Sequence, residues 1–283
     1  MSKKQPPLTS ALIQKYLTYL QEQERSPHTI RKYAHDLTAL RTYLHGEPLT
    51  KTALIGWKAQ LVATLAPASV NSMLVAVNGF LSFMGWQNLK VKLLKIQRTV
   101  FVDESRELSR AEYARLVHAA QQKENERLAL VLQTICATGI RVSELRFITV
   151  EAVQHGRAEI SNKGKRRIVF LPGALRKLLA AYLRKQGKVS GVVFTTRSGK
   201  PLDRSNIWRD MKKLCQSAGV DPQKVFPHNL RHLFARTFYS IDHDLSRLAD
   251  ILGHSSVTTT RIYTAECGSV HAQQMERLRL IIT

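Results

Sequence analysis

The sequence predicts a mostly α-helical chain of the α+β kind, built as a helical bundle followed by a larger unit that holds a small antiparallel sheet. Three observations predict it. Apolar residues recur at helical spacing through residues 8–88, with no strand signal. Residues 89–107, LKVKLLKIQRTVFVDESRE, break that pattern with a basic and then mixed run of no clean period. Beyond them a single stretch, AEISNKGKRRIVFLP, reads as strand, tight turn, strand between helical segments.

The elements follow in order. LTSALIQKYLTYLQEQE puts Leu12, Ile13, Tyr16, Leu17 and Leu20 on one helical face. SPHTIRKYAHDLTALRTYL opens with Ser26 as cap and Pro27 at the first helical position, where a missing N–H costs nothing. Two more helices are expected near 50–64 and 68–85, completing a domain over residues 1–88. Residues 89–107 are then a linker, and a second domain spans 108–283. It opens at LSRAEY, where Ser109 and Glu112 have capping-box spacing. A helix is expected over about 110–121, and ENERLALVLQTICATG gives a second that ends at Gly139. IRVSELRFI suggests a short helix opening at Arg141, and the hairpin turn falls at Lys163-Gly164. A helix near 173–186, the apolar piece GVVFTT and the turn RSGKP come next. Helices near 204–218, 228–240, 244–252 and 256–264 follow, with a tail helix from about 268. The chain has no internal repeat and no low-complexity segment.

Composition narrows the function class. The 283 residues are 44% hydrophobic, enough for packed cores, and carry 43 Lys plus Arg against 21 Asp plus Glu, a net charge of +22. Acidic surfaces serve solubility better than basic ones, so such an excess points to a polyanionic partner. Residues 1–100 hold 13 basic and 4 acidic side chains and residues 101–283 hold 30 and 17, so the excess is not a single basic tail. Both parts are expected to face the same polyanion. Cys136, Cys215 and Cys267 have neither metal-site nor disulfide-framework spacing, which suits a reducing cytosol. No apolar run approaches the roughly 18 residues of a membrane span, and MSKKQPPLTS lacks the apolar core of a signal peptide. The expectation is a cytoplasmic protein with no membrane partner.

The chemistry is carried by residues that are unremarkable one at a time. Arg141 follows ATG near a helix start and could be a surface arginine paired with Glu144. Lys163 stands in a turn, where lysines are usually just solvated. HNLRH puts His228 and Arg231 three apart on one helical face, in the first turn after Pro227, where the helix dipole favours an anion. LGHSSVTTTRIYTAECGSV sets His254 nine residues before Tyr263, across a threonine run that is a poor helix former. Together the six fit phosphoryl transfer at a DNA phosphodiester. Its transition state gathers charge on the non-bridging oxygens, which preorganised guanidinium groups stabilise at fixed geometry. A tyrosine hydroxyl can form a covalent phosphodiester that conserves the bond energy. A lysine can protonate the leaving oxygen, and histidines can take or share the tyrosine proton.

ATGIRVSEL at 137–145, HNLRH at 228–232, ILGH at 251–254 and Tyr263 together resemble the signature of the tyrosine recombinase, or phage integrase, family. The spacing from Arg231 through His254 to Tyr263 is similar to that of its short Xer-like members. SPHTIRKYAHDL resembles the family's SAM-like core-site-binding domain, so the resemblance spans nearly the whole chain. One departure stands in the hairpin. The family pattern is close to G-K-G-x-K-x-R, whereas NKGKRRIVFLP has Asn162 for the first glycine and is one residue shorter before Arg167. Lys163 is the better match for the catalytic lysine, and Lys165 is its competitor. A second departure is that no arm-type DNA-binding domain is expected before residue 8.

The resemblance implies a DNA breaking-rejoining fold and a site-specific recombinase. Tyr263 would attack the scissile phosphate and leave a 3′-phosphotyrosyl link and a 5′-hydroxyl. Arg141 and Arg231 would clamp the phosphate, Lys163 protonate the leaving oxygen, His228 assist and His254 support. Strands would exchange through a Holliday junction. The partners implied are double-stranded DNA with paired inverted half-sites and a homotetramer on it, with a second recombinase or a directionality factor as further partners. No cofactor and no metal is implied. Two other readings stay open: type IB topoisomerase-like relaxation, and a non-catalytic DNA-binding protein of the same fold.

Overall fold

The computed structural model describes residues 7–96, 104–162, 165–254, 256–263 and 276–277. Lys163, Cys267 and the expected tail helix, apart from residues 276–277, lie outside these. The chain divides into two compact units, Met1–Arg98 and Thr99–Thr283.

The first unit is four helices: α1 (Ser10–Glu22), α2 (Pro27–Leu44), α3 (Lys51–Thr64) and α4 (Pro67–Phe83). Local chemistry sets each start. The hydroxyls of Thr9, Ser26 and Thr50 accept from Leu12, Thr29 and Ala53 N–H, and proline opens α2 and α4. Leu37, Leu40, Leu54, Leu74, Val77 and Phe80 are fully buried between the helices. The residues just after the bundle are tied to it. Asn78 exchanges two hydrogen bonds with the Val91 backbone, at 2.9 and 3.1 Å. Asn71 does the same with Leu94, at 2.9 and 2.7 Å. These two asparagines lie seven apart on one face of α4 and hold residues 91–94 extended against it, as a paired strand would.

In the second unit, α5 (Arg110–Gln122) opens with both bonds of the Ser109/Glu112 capping box. α6 (Glu126–Thr138) ends at Gly139, and α11 (Pro227–Asp242) packs along it. A six-residue 3-10 helix, Val142–Phe147, and α7 (Val150–His155) lead into the sheet. That sheet is one antiparallel pair, β1 (Arg157–Asn162) with β2 (Lys165–Phe170), in register from Arg157 opposite Phe170 to Asn162 opposite Lys165. α8 (Gly173–Lys185), α9 (Arg204–Lys212), α10 (Cys215–Ala218), α12 (Leu245–Leu252) and α13 (Val257–Thr260) complete it, with a 3-10 turn at Arg261–Tyr263. Leu132, Ile135, Ile140, Leu179, Phe194, Met211 and Leu230 form its core. Among the described residues no helix is long and apolar enough to cross a membrane.

Two elements differ from expectation. The helix expected over 204–218 is two pieces, because α9 ends at Lys212 and the chain restarts at Cys215. α7 went unforeseen, being too short at six residues for a helical period to show. GVVFTT joins no sheet. It runs as isolated bridges, Thr149 with Val192 and Thr195 with Pro201, with Phe194 buried.

Candidate active site

Five of the six side chains singled out in the sequence, Arg141, His228, Arg231, His254 and Tyr263, converge where α6, α11, α12 and the 257–263 segment meet. Gly139 and Gly253 make this possible. Each ends a helix at φ +65, a conformation strained for any side chain. A Cβ on Gly139 would stand 2.4 Å from Phe234 Cδ1, and one on Gly253 would stand 2.8 Å from Arg167 Cδ. Both turns thus let backbone press against the groups beneath.

Arg231 is the centre. It is 1% exposed and, among the described residues, is the largest of the fully buried side chains. Nη1 donates to Gly139 O at 2.6 Å, and Nη2 donates to Leu252 O at 2.8 Å and to His254 Nε2 at 2.9 Å. Its Nε has no partner among the described residues. Burial and then repulsion from Arg141 pull its pKa down to about 10, partly offset by the Tyr263 hydroxyl and by Glu144, so it stays a cation at neutral pH.

These bonds also fix the state of His254. A guanidinium has no acceptor, so His254 Nε2 must accept, and its proton sits on Nδ1. Nδ1 then donates to Thr260 Oγ1 at 2.8 Å. Burial, followed by the charges of Arg231, Arg141 and Arg167, lowers the His254 pKa to about 4, which agrees with a neutral ring. His228 is likewise held near 4, by desolvation first and then by His232, Arg231, Arg141 and Arg204.

Tyr263 lies inside this group. It is 3% exposed and packs with Ala235, Leu248 and Leu252. Its hydroxyl is 3.5 Å from His228 Nε2, and its ring stacks on that of His254 at 5.6 Å and 11°. The weak threonine helix forms one α turn and then a 3-10 turn. Side chains three apart eclipse in 3-10 geometry. Thr260 and Tyr263 therefore face inward together, while Ser256 and Thr259 are exposed. Ser256 instead caps the turn, accepting from Thr258 N–H at 3.2 Å.

Arg141 is held from one side. Glu144, 1% exposed, accepts from Arg141 N–H at 2.8 Å and from its Nη1 at 3.1 Å. The same carboxylate takes the fork of Arg167, at 3.0 and 2.8 Å. Burial works to raise the Glu144 pKa, but Arg167 and then Arg141 outweigh it and hold the carboxyl below its ordinary range. Glu144→Gln leaves two guanidinium groups beside Arg231 without their counter-charge. Breaking a buried pair costs about 3–5 kcal/mol, and a urea unfolding curve should show a loss of that size.

The histidines give a pH signature. A histidine whose folded pKa lies below its unfolded value resists protonation in the fold, so stability is intact above about 6.5 and falls as pH drops towards 4. Glu107 and Glu144, both held low, add their own loss only below their ordinary 4.5. The melting temperature should decline between pH 6.5 and 4.5, and His254→Gln should flatten that part of the curve.

Arg141, His228, Arg231, His254 and Tyr263 are thus brought together. Lys163 lies outside the described residues, and its competitor Lys165 opens β2. Glu144, Arg167, Thr260 and His232 belong to the same cluster. Arg167 and His232 stand in the hairpin and HNLRH stretches of the family signature without a role assigned to them there, and no local signal marked Thr260.

Comparison with known proteins gives two family matches. Residues 106–267 match the phage integrase family, and residues 13–88 match the phage integrase N-terminal SAM-like domain. The tyrosine recombinase XerA of Pyrococcus furiosus is 27% identical over 284 residues, covering 97% of this chain and 96% of the relative. XerH site-specific recombinase, solved bound to its difH substrate in a pre-cleavage complex, has a TM-score of 0.71 at 22% identity, over 96% of this chain and 84% of that one. A lambda integrase tetramer bound to a Holliday junction has a TM-score of 0.73 at 18% identity, over 89% and 76%.

Proposed function

The chain belongs to the phage integrase family and is a tyrosine site-specific recombinase, and we propose that the cluster around Arg231 is where it cuts and rejoins DNA. The Tyr263 oxygen attacks the scissile phosphorus and forms a 3′-phosphotyrosyl bond while the P–O5′ bond breaks. The hydroxyl proton passes to neutral His228, and Lys163 supplies the proton that makes the leaving oxygen a 5′-hydroxyl. Arg141 and Arg231 take the non-bridging oxygens, and His254 holds the Arg231 fork in place. A phosphodiester arriving among these cations brings negative charge, which raises the proton affinity of His228 from its low resting value. Attack by the 5′-hydroxyl of a partner strand reverses the step, so exchange needs no external energy source. Glu144 orients Arg141 and does not touch the phosphate.

One observation carries this reading: the hydroxyl of a buried tyrosine stands 3.5 Å from a neutral imidazole, beside a buried arginine. The substrate proposed is duplex DNA with two half-sites in inverted orientation, bound in the cytoplasm by four copies of the chain. The lambda integrase tetramer on a Holliday junction supports that assembly. Both units are basic, and binding dominated by phosphate contacts falls steeply with salt. The test is a search of the DNA flanking the gene for a short inverted repeat, followed by a plasmid carrying two copies of it. Recombinant circles are expected from it, and none from a plasmid without the repeats. Relaxation of both plasmids without recombinants would overturn the reading in favour of a topoisomerase.

A further inference from the structure

α11 carries a second histidine, His232, one turn beyond His228, and the reaction above does not use it. Its ring is the nearest of the three histidines to Tyr263. The two meet edge-on with centroids 4.5 Å apart, against 5.6 Å for His254 and 6.0 Å for His228. His232 is anchored from behind. Its Nδ1 lies 3.4 Å from Glu107 Oε1, with side chains 18% and 12% exposed. The other Glu107 oxygen lies 3.2 Å from Arg236 Nη2.

The state of this pair follows from its surroundings. Burial works to raise the Glu107 pKa, but the His232 hydrogen bond and the Arg236 charge outweigh it, so the group is a carboxylate at neutral pH. A carboxylate only accepts, so Nδ1 faces it as the donor side of the ring, and the 3.4 Å approach limits how the ring can turn. Glu107 itself is pinned on both sides. Asn229 donates to Arg106 O at 2.8 Å and Arg236 donates to Leu108 O at 2.8 Å. The backbone around the anchor is thereby fastened to the same helix that carries His228 and Arg231.

Tyr263, in contrast, sits at the end of a four-residue α turn and a three-residue 3-10 turn. Elements this short do not hold a side chain by their own hydrogen bonds. The ring's place is supplied by what it packs against: Ala235, Leu248 and Leu252, with His254 on its face and His232 at its edge.

We propose that His232, anchored by Glu107, is a positioning residue that seats the Tyr263 ring for attack. This rests on Tyr263 being the nucleophile, so the test has two arms. The first uses the full chain without DNA. Hydroxyl-radical footprinting compares Tyr263 with Tyr16 and Tyr113 in wild type, Glu107→Ala, Glu107→Gln and His232→Asn. Glu107→Gln keeps an amide oxygen that accepts from Nδ1. His232→Asn keeps a donor for Glu107 but removes the ring. Tyr263 labelling should rise about threefold or more in Glu107→Ala and His232→Asn, and stay near wild type in Glu107→Gln, with Tyr16 and Tyr113 unchanged. If Glu107→Ala exposes every tyrosine it has unfolded, and His232→Asn decides.

The second arm is single-turnover cleavage of a nicked cognate site at saturating protein. Displacing a reacting group by an ångström costs up to about 100-fold. Glu107→Ala and His232→Asn should slow cleavage roughly 10- to 100-fold with unchanged DNA affinity, and Glu107→Gln should recover most of the rate. Wild-type labelling of Tyr263 in His232→Asn, or cleavage by it within about twofold of wild type, overturns the proposal. If wild type itself forms no adduct, the nucleophile reading fails, and the footprint still decides whether the Glu107–His232 pair seats the ring.

Discussion

Tyr263→Phe is expected to bind a cognate site as wild type does and to leave no covalent protein–DNA adduct on a nicked suicide substrate. The substitution removes one oxygen and leaves the ring against His254 and His232, so the packing of Tyr263 with Leu248 and Leu252 is preserved. Its cost to stability is small. The hydroxyl's contacts are a long 3.5 Å approach to His228 Nε2 and an interaction with Arg231. Its cost to chemistry is complete, because no other atom at that place can form the phosphodiester. Denaturing gel electrophoresis should show a shifted band for wild type and none for the variant at equal occupancy of DNA. A shifted band of wild-type intensity from Tyr263→Phe would assign the nucleophile elsewhere.

Arg231→Lys should be nearly as damaging, although the charge is kept. One guanidinium serves Gly139 O, Leu252 O and His254 Nε2 at once, from a position 1% exposed. A lysine ammonium is a compact point charge without the planar fork, so it cannot reach all three partners in the same geometry. Each buried acceptor left unpaired costs about 1–3 kcal/mol. His254 loses the bond that fixes its tautomer, so Thr260 and the start of the tyrosine-bearing turn lose their anchor as well. Loss of one preorganised donor to a developing oxyanion commonly costs about 100- to 1,000-fold. Single-turnover cleavage should fall by at least that much at a temperature where circular dichroism shows the variant folded. A rate within tenfold of wild type would remove Arg231 from the phosphate site.

The helices and the one hairpin were legible in the sequence because their signals are local. Ser109 with Glu112, Pro27 after Ser26, and Gly139 after an apolar run each announce an element boundary by its own chemistry. Arg141, His228, Arg231, His254 and Tyr263 were legible through their order and spacing, which the resemblance read as one set. The partners that hold them were not. Arg167 meets Glu144 from 23 residues away. His232 meets Glu107 from the far end of the same unit. Only the fold brings such pairs together. Thr260 was missed for a different reason. Thr258, Thr259 and Thr260 are consecutive and alike, so nothing local says which of them turns inward.

In the proposed reaction Tyr263 becomes bonded to the 3′ phosphate of the cut strand. Tandem mass spectrometry of the trapped complex, after nuclease trimming and proteolysis, tests this most directly. A nucleotide remnant on Tyr263, joined through its 3′ phosphate, is expected. A remnant on another residue, or one joined through a 5′ phosphate, would contradict it.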